Sequence, residues 1–139
     1  MRRLFLPLFL LLGGIHTASA HEVETEVLAQ ADRAWDGSAW WAYPHATPLV
    51  SLLRLRIPAE TLLDWHTHPM VNMAYVERGS ITVERRDTGQ ERMFREGDVI
   101  AELVDVAHRG RTGPEEVALL VFYAGADGMP LSVPSRTQP

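Results

Sequence analysis

His66-Thr67-His68-Pro69-Met70-Val71-Asn72 is the stretch on which the reading of this chain turns. Side chains on a β-strand alternate between faces, so His66 and His68, two residues apart, point to the same side. Together they form a two-pronged clamp, and imidazole is the commonest protein ligand for divalent transition metals. Pro69 has no amide donor and breaks the strand just after the clamp. If extended geometry resumes beyond it, Asn72 shares the parity of the histidines and faces the same interior. Taken alone, His66 and His68 fit an ordinary half-buried or surface pair equally well, so the surroundings decide.

Upstream, Leu49, Ser51, Leu53, Leu55 and Ile57 alternate with Val50, Leu52, Arg54 and Arg56, the pattern of a strand with one buried face. Pro58-Ala59-Glu60 ends it, and Leu62 to His68 reads as the next strand. Downstream, Val71 to Glu77 and Ile81 to Arg86 are joined across the turn Arg78-Gly79-Ser80. Asp87-Thr88-Gly89-Gln90 makes a hairpin back into Glu91 to Arg95. Gly97-Asp98 turns the chain into Val99 to Leu103, His108 follows, and Val117 to Tyr123 is the last strong strand. At least seven short strands separated by turn residues, with no long helix, predict an all-β antiparallel sandwich or barrel.

The spacing of these residues resembles the two motif halves of the cupin superfamily. The first half reads His66-Thr67-His68, then Asn72, and closes on Gly79; the second runs from Gly97-Asp98 to His108. The resemblance covers roughly residues 47 to 124. It implies an antiparallel double-stranded β-helix, or jelly-roll barrel, with His66, His68 and His108 meeting around a metal. Asn72 stands where the family usually has a Glu ligand. Leu103 and Asp105 replace the Pro and Gly common before the second-motif histidine, and Thr112 replaces its trailing Asn. The fold expectation survives these changes, which lie at a ligand and in a turn, while any particular cupin chemistry is put in question. The resemblance also implies pairing into a homodimer.

At 139 residues the chain fits a single domain able to bury a sound core. All thirteen basic residues are Arg, which excludes a Schiff-base lysine mechanism. The formal net charge is −5. Loss of Arg2 and Arg3 with a leader would leave 11 Arg against 18 acidic residues, or −7. So acidic a chain is a poor partner for nucleic acid. Cysteine is absent, so neither a disulfide framework nor a lipid-bearing cysteine is available.

Residues 1–20 read as a signal peptide: a basic Met1-Arg2-Arg3, an apolar run from Leu4 to Leu12, and an Ala18-Ser19-Ala20 cleavage site. The run is too short for a membrane span, so the expected product is periplasmic or secreted, with no membrane attachment after cleavage. Arg2-Arg3-Leu4-Phe5-Leu6 partly matches a twin-arginine signal, with Pro7 in place of the usual Lys, beside the general secretory route. Cleavage after Ala20 would expose His21, whose amino group and ring can chelate copper, although Glu22, Glu24 and Glu26 give the segment the look of a solvated tail.

Residues 21–46 are expected to supply an N-terminal edge strand and an aromatic turn. Between 22 and 34 a short helix and an edge strand both fit, and the resemblance favours the strand. Trp35-Asp36-Gly37 is a turn, and Trp40, Trp41 and Tyr43 form a cluster that caps a barrel end or walls a ligand. The barrel is expected over 47–126, and the tail 127–139, with Pro130, Pro134 and Pro139, is either an extended strap or disordered.

Three neutral imidazoles and the amide of Asn72, a weak fourth donor, would leave the charge of Fe, Mn, Zn, Ni or Cu largely uncompensated. Such a centre attracts anionic or chelating oxygen-bearing small molecules. Asn72 alternatively hydrogen-bonds a turn backbone. Glu102 and Tyr123 are candidate pocket or acid–base groups, or else rim and core residues. Arg109 and Arg111 either orient an anionic substrate or pair with Glu115 and Glu116. No general base stands out beside the histidines, and the catalytic residues stay unassigned. Two functions follow: an exported non-haem metal-dependent oxidoreductase, dioxygenase-like, or a non-catalytic periplasmic protein that binds metal or a small molecule.

Overall fold

The computed structural model describes residues 23–135, and all of its regular structure is β. The leader at 1–20 and His21 lie outside the described residues, as do residues 136–139 of the tail. Nine strands follow in order: β1 Pro48–Ile57, β2 His66–Thr67, β3 Asn72–Arg78, β4 Ser80–Arg85, β5 Glu91–Arg95, β6 Val99–Ala101, β7 His108–Thr112, β8 Val117–Ala126 and β9 Val133–Pro134. They form two antiparallel sheets in the orders β1-β8-β3-β6 and β5-β4-β7-β2-β9. With β9 set aside, the chain passes between the sheets so that 1-8-3-6 is complemented by 2-7-4-5, the jelly-roll arrangement of the double-stranded β-helix.

Alternation explains which sheet faces close on each other. Along β1 the inward Leu53, Leu55 and Ile57 pack on the core, while the outward Val50 and Leu52 are exposed. Opposite them in β8, Val117, Leu119, Val121 and Tyr123 point inward. Ile81, Val83, Phe94 and Ile100 complete the core from both sheets. Each such side chain contributes about 1.5–3 kcal/mol when fully buried, and with no cysteine this packing is the main cohesive force.

Two expectations are corrected, and two further features of the topology come from the structure. Residues 23–34 form no edge strand; their strand-like pairing is the isolated bridge Arg33↔Ala39. The expected strand Leu62–His68 contracts to His66–Thr67, flanked by single bridges at Leu62↔Arg111 and His68↔Val104. β3 and β4, consecutive across Gly79, lie in different sheets, so the turn carries the chain from one sheet to the other. And β7, His108–Thr112, is a strand that apolar alternation does not announce, since it carries two arginines and a glycine. A β-carbon at Gly110 would sit 2.7 Å from Ile81 Cδ1, so a side chain there would require the Ile81 tip to move.

The departures around His108 are absorbed by local chemistry. Asp105 takes the left-handed conformation a glycine would hold, with φ of 58°, which Asp tolerates better than most side chains. Its amide donates to His68 O at 2.9 Å. Thr112 Oγ1 donates to Pro58 O at 2.7 Å and accepts from Thr61 N at 2.9 Å, tying the 58–61 loop to β7.

Two glycines with the same handedness separate backbone strain from steric conflict. Gly79 has φ of 81° and a β-carbon there would meet Glu116 O at 2.6 Å, whereas Gly97, with φ of 89°, has open space. Gly97→Ala is expected to cost the left-handed penalty alone, about 1–2 kcal/mol, and Gly79→Ala distinctly more in urea unfolding. Equal losses would show that the β3–β4 turn yields freely.

Candidate metal centre

His66 and His108 are direct cross-strand partners in the β2–β7 pairing. His68 follows one residue beyond β2, its backbone held against Val104 and Asp105. The three rings come together, with centroids 4.6 Å apart for His66–His108, 5.0 Å for His66–His68 and 5.1 Å for His68–His108. One ligand-capable atom from each lies within 4.8 Å of the others.

The hydrogen bonds fix which atom that is. His66 Nδ1 lies 2.8 Å from Asp64 O, His68 Nδ1 2.7 Å from Leu131 O, and His108 Nδ1 2.8 Å from Val106 O. A carbonyl oxygen only accepts, so each Nδ1 carries the proton and donates it. Each ring, in its neutral form, therefore presents its Nε2 lone pair, the tautomer and orientation that backbone carbonyls impose on metal-binding histidines.

Burial keeps two of the rings neutral. Desolvation holds His108 down to about 4 and lowers His68 from its ordinary value, against the opposing pull of Glu102. His66 is the half-buried member at the mouth.

Asn72 comes to the same place from the other sheet, opposite Tyr123 in the β3–β8 pairing. Its Nδ2 donates to Met70 O at 3.2 Å, the local backbone bond, and its Oδ1 is buried without a partner. Tyr123 is buried with its ring 5.7 Å from that of His68. Its hydroxyl is pushed up by burial and by the charge of Glu102.

Glu102, one of the candidate pocket or acid–base groups, lies beside the histidines. Its Oε2 lies 3.5 Å from His108 Nε2, and desolvation raises its pKa. Trp40, sixty-two positions away, donates from Nε1 to Glu102 O at 2.9 Å. The aromatic cluster thus divides: Trp40 braces the centre, Trp35 packs edge-on against Phe94 at 6.1 Å, and Trp41 and Tyr43 are exposed. Asp36, paired with Arg85 and bonded to Ser38, pins the same N-terminal turn to the barrel.

The tail over 127–135 is a strap. β9 pairs with β2, Ser135 N donates to Trp65 O at 2.8 Å, and Leu131 packs on the core while its carbonyl orients His68. Arg109 and Arg111 point away from the centre because β7 alternates and His108 takes the inward side. Their acidic partners are Glu84 and Glu91, not Glu115 or Glu116. Arg109 and Arg86 both stack on Trp65, at 4.2 and 4.7 Å.

Below the polar cluster lies a cavity of about 70 Å³, walled by aliphatic residues such as Leu55, Ile100 and Val121. Of the four buried side-chain polar atoms without partners among the described residues, three line it: Asn72 Oδ1, Glu102 Oε2 and His108 Nε2. Buried polar atoms are almost always satisfied. Three electron-rich orphans lining one cavity fit a cation, and a three-imidazole set is suited to a divalent transition metal.

No family model matches the sequence, and no curated protein matches it. Among solved structures, the chain is similar to the DMSP lyase DddQ from Ruegeria pomeroyi, at 19% identity and a TM-score of 0.56 over 65% of this chain and 45% of that one. It is also similar to a cupin-like protein from Thermotoga maritima, at 19% identity and 0.53, over 62% and 64%. A protein with a double-stranded β-helix domain from Klebsiella pneumoniae gives 13% and 0.54, over 68% and 89%. The chain spans less than half the length of the lyase. At these identities the likeness is one of fold.

The neutral imidazoles set a sign for acid stability. Unfolded His titrates near 6.5, so below about that pH the unfolded chain binds protons that folded His68 and His108 refuse, and stability falls as pH drops toward about 4. Glu102, with its raised pKa, opposes this as one group against two. Metal-free protein is expected to melt lower at pH 4.5 than at pH 7, with His108→Asn flattening the slope. A pH-independent melting temperature would refute the neutral-ring assignment.

Proposed function

The chain has the cupin fold, and from that premise we propose that it is an exported protein whose His66, His68 and His108 hold a divalent transition metal for chemistry on a small oxygen-bearing or anionic molecule. The observation that carries this reading is the set of three Nδ1–H bonds to backbone carbonyls, which leaves three Nε2 lone pairs facing one point. Three protein donors leave room in a coordination sphere, as catalytic sites require. The reaction class we assign is oxidoreductase, dioxygenase-like, with iron supplying the redox chemistry when bound. Glu102 and Tyr123, buried at the centre, are the groups able to hold or move a proton there.

The cavity limits what can enter. About 70 Å³ matches roughly two waters, so the substrate is small or binds from the His66 mouth. That limit also favours a second reading, a non-catalytic binder of metal or of a small ligand, because the fold alone does not choose. Export to the periplasm or beyond rests on Met1-Arg2-Arg3, the apolar run and Ala18-Ser19-Ala20. A homodimer is part of the proposal, supported by β1, a sheet-edge strand with Val50 and Leu52 exposed.

Anaerobic loading with Fe(II) is expected to give one iron per chain, followed by oxygen uptake in an electrode with a diketone, a thiol or a catechol. Stoichiometric iron without uptake would leave the binding reading. His68→Ala is expected to lose the metal by elemental analysis, and unchanged content would remove it from the ligand set. A chain ending at Pro130 lacks the carbonyl that orients His68, and its metal affinity is expected to fall about 10–100-fold, as when an outer-shell partner is lost.

A further inference from the structure

Glu102 follows β6 directly and is buried, with its Oε2 unpartnered. An ionised carboxylate without a partner costs several kcal/mol in such surroundings. The atom facing it, His108 Nε2 at 3.5 Å, offers no proton, because His108 donates its proton through Nδ1 to Val106. Two electron-rich atoms thus confront each other, and Asn72 Oδ1 is a third, its amide nitrogen being tied to Met70 O. Asn72 and Glu102 are neighbours across β3 and β6: Met73 pairs with Ala101, and one step on Glu102 N donates to Asn72 O at 3.1 Å. A positive centre in the cavity they line would answer the Glu102 carboxylate and the His108 lone pair, which already lie 3.5 Å apart.

We propose that Glu102 is an anionic ligand of the metal, completing a three-imidazole, one-carboxylate set from the strand beside Asn72, and that Trp40 is its positioning residue. The inference rests on the metal reading above. It changes the charge of the centre: the carboxylate cancels one unit of a divalent ion, so the site is less strongly cationic than three imidazoles and an amide would make it. Trp40 acts through the backbone, its indole N–H fixing the Glu102 carbonyl and so the direction of the side chain.

Co(II) titration of metal-free protein, with a competing chromophoric chelator, tests the pair. Wild type is expected to bind one equivalent. Glu102→Gln keeps the shape and can still hydrogen-bond, yet is expected to weaken binding by more than about 100-fold, beyond the roughly 10–100-fold typical of outer-shell losses. Trp40→Phe should weaken it within that outer-shell range. Adding Asn72→Glu to Glu102→Gln returns a carboxylate to the same cavity from the paired strand, and should recover affinity and the Co(II) visible spectrum. A carboxylate held for a metal burdens the metal-free fold, so metal-free Glu102→Gln should melt no lower than wild type. Binding by Glu102→Gln within about 10-fold of wild type, or a lowered melting temperature with intact affinity, would overturn the ligand role while His68→Ala still lost the metal. Wild type that bound no Co(II) would overturn the three-imidazole centre with it.

Discussion

The antiparallel pairing of His66 with His108 is the constraint on which the centre depends. A slip of one residue between β2 and β7 would turn one imidazole out of the barrel, because the side-chain period is two. Yet β2 is only two residues long and cannot hold that register alone. Its flanks do so: Leu63 N donates to Gly110 O at 2.9 Å, Leu62 bridges to Arg111, and β9 lies along its other edge. Gly110 lets β7 settle against Ile81 without displacing it. A position that looks like a weakness in a strand is what lets the histidines meet.

The barrel separates two tasks by depth. Its aliphatic interior supplies cohesion, while three buried polar atoms of the histidine cavity are left without hydrogen-bond partners. That combination is typical of sites where stability is given up for function. The unsatisfied groups persist because they are clamped from two directions. From the N-terminal side, Trp40 bonds Glu102 and the Asp36–Arg85 pair anchors the turn that carries Trp35. From the C-terminal side, Leu131 orients His68 and Ser135 bonds Trp65. Neither clamp is covalent, and each uses a backbone carbonyl at the centre as its point of purchase.

Electrostatics at the centre follow from the same burial. Desolvation holds His68 and His108 neutral, which keeps their lone pairs available, and it penalises the charge on Glu102 and on Tyr123. The rim arginines do not offset this, since Arg109 and Arg111 are engaged with Glu84 and Glu91 on the outer face. The ionisable groups of the interior are therefore Glu102, Tyr123 and the histidines, apart from the arginine-rich surface.

Much of the architecture was legible in the chain because strand alternation and turn residues are local properties. Leu49–Ile57, the Gly79 and Gly97 turns, and the shared parity of His66, His68 and Asn72 needed no knowledge of distant partners. Even Asp105, in place of a glycine, could be accommodated by local chemistry. What the linear order could not decide were relations between distant segments: that His108–Thr112 forms a strand despite its polar composition, that Glu102 turns toward His108, and that Trp40 and Leu131 reach across sixty-two and sixty-three positions. Periodicity tells a residue which face of its own strand it occupies. Only the closing of one sheet over the other decides which residue of another strand it will meet there.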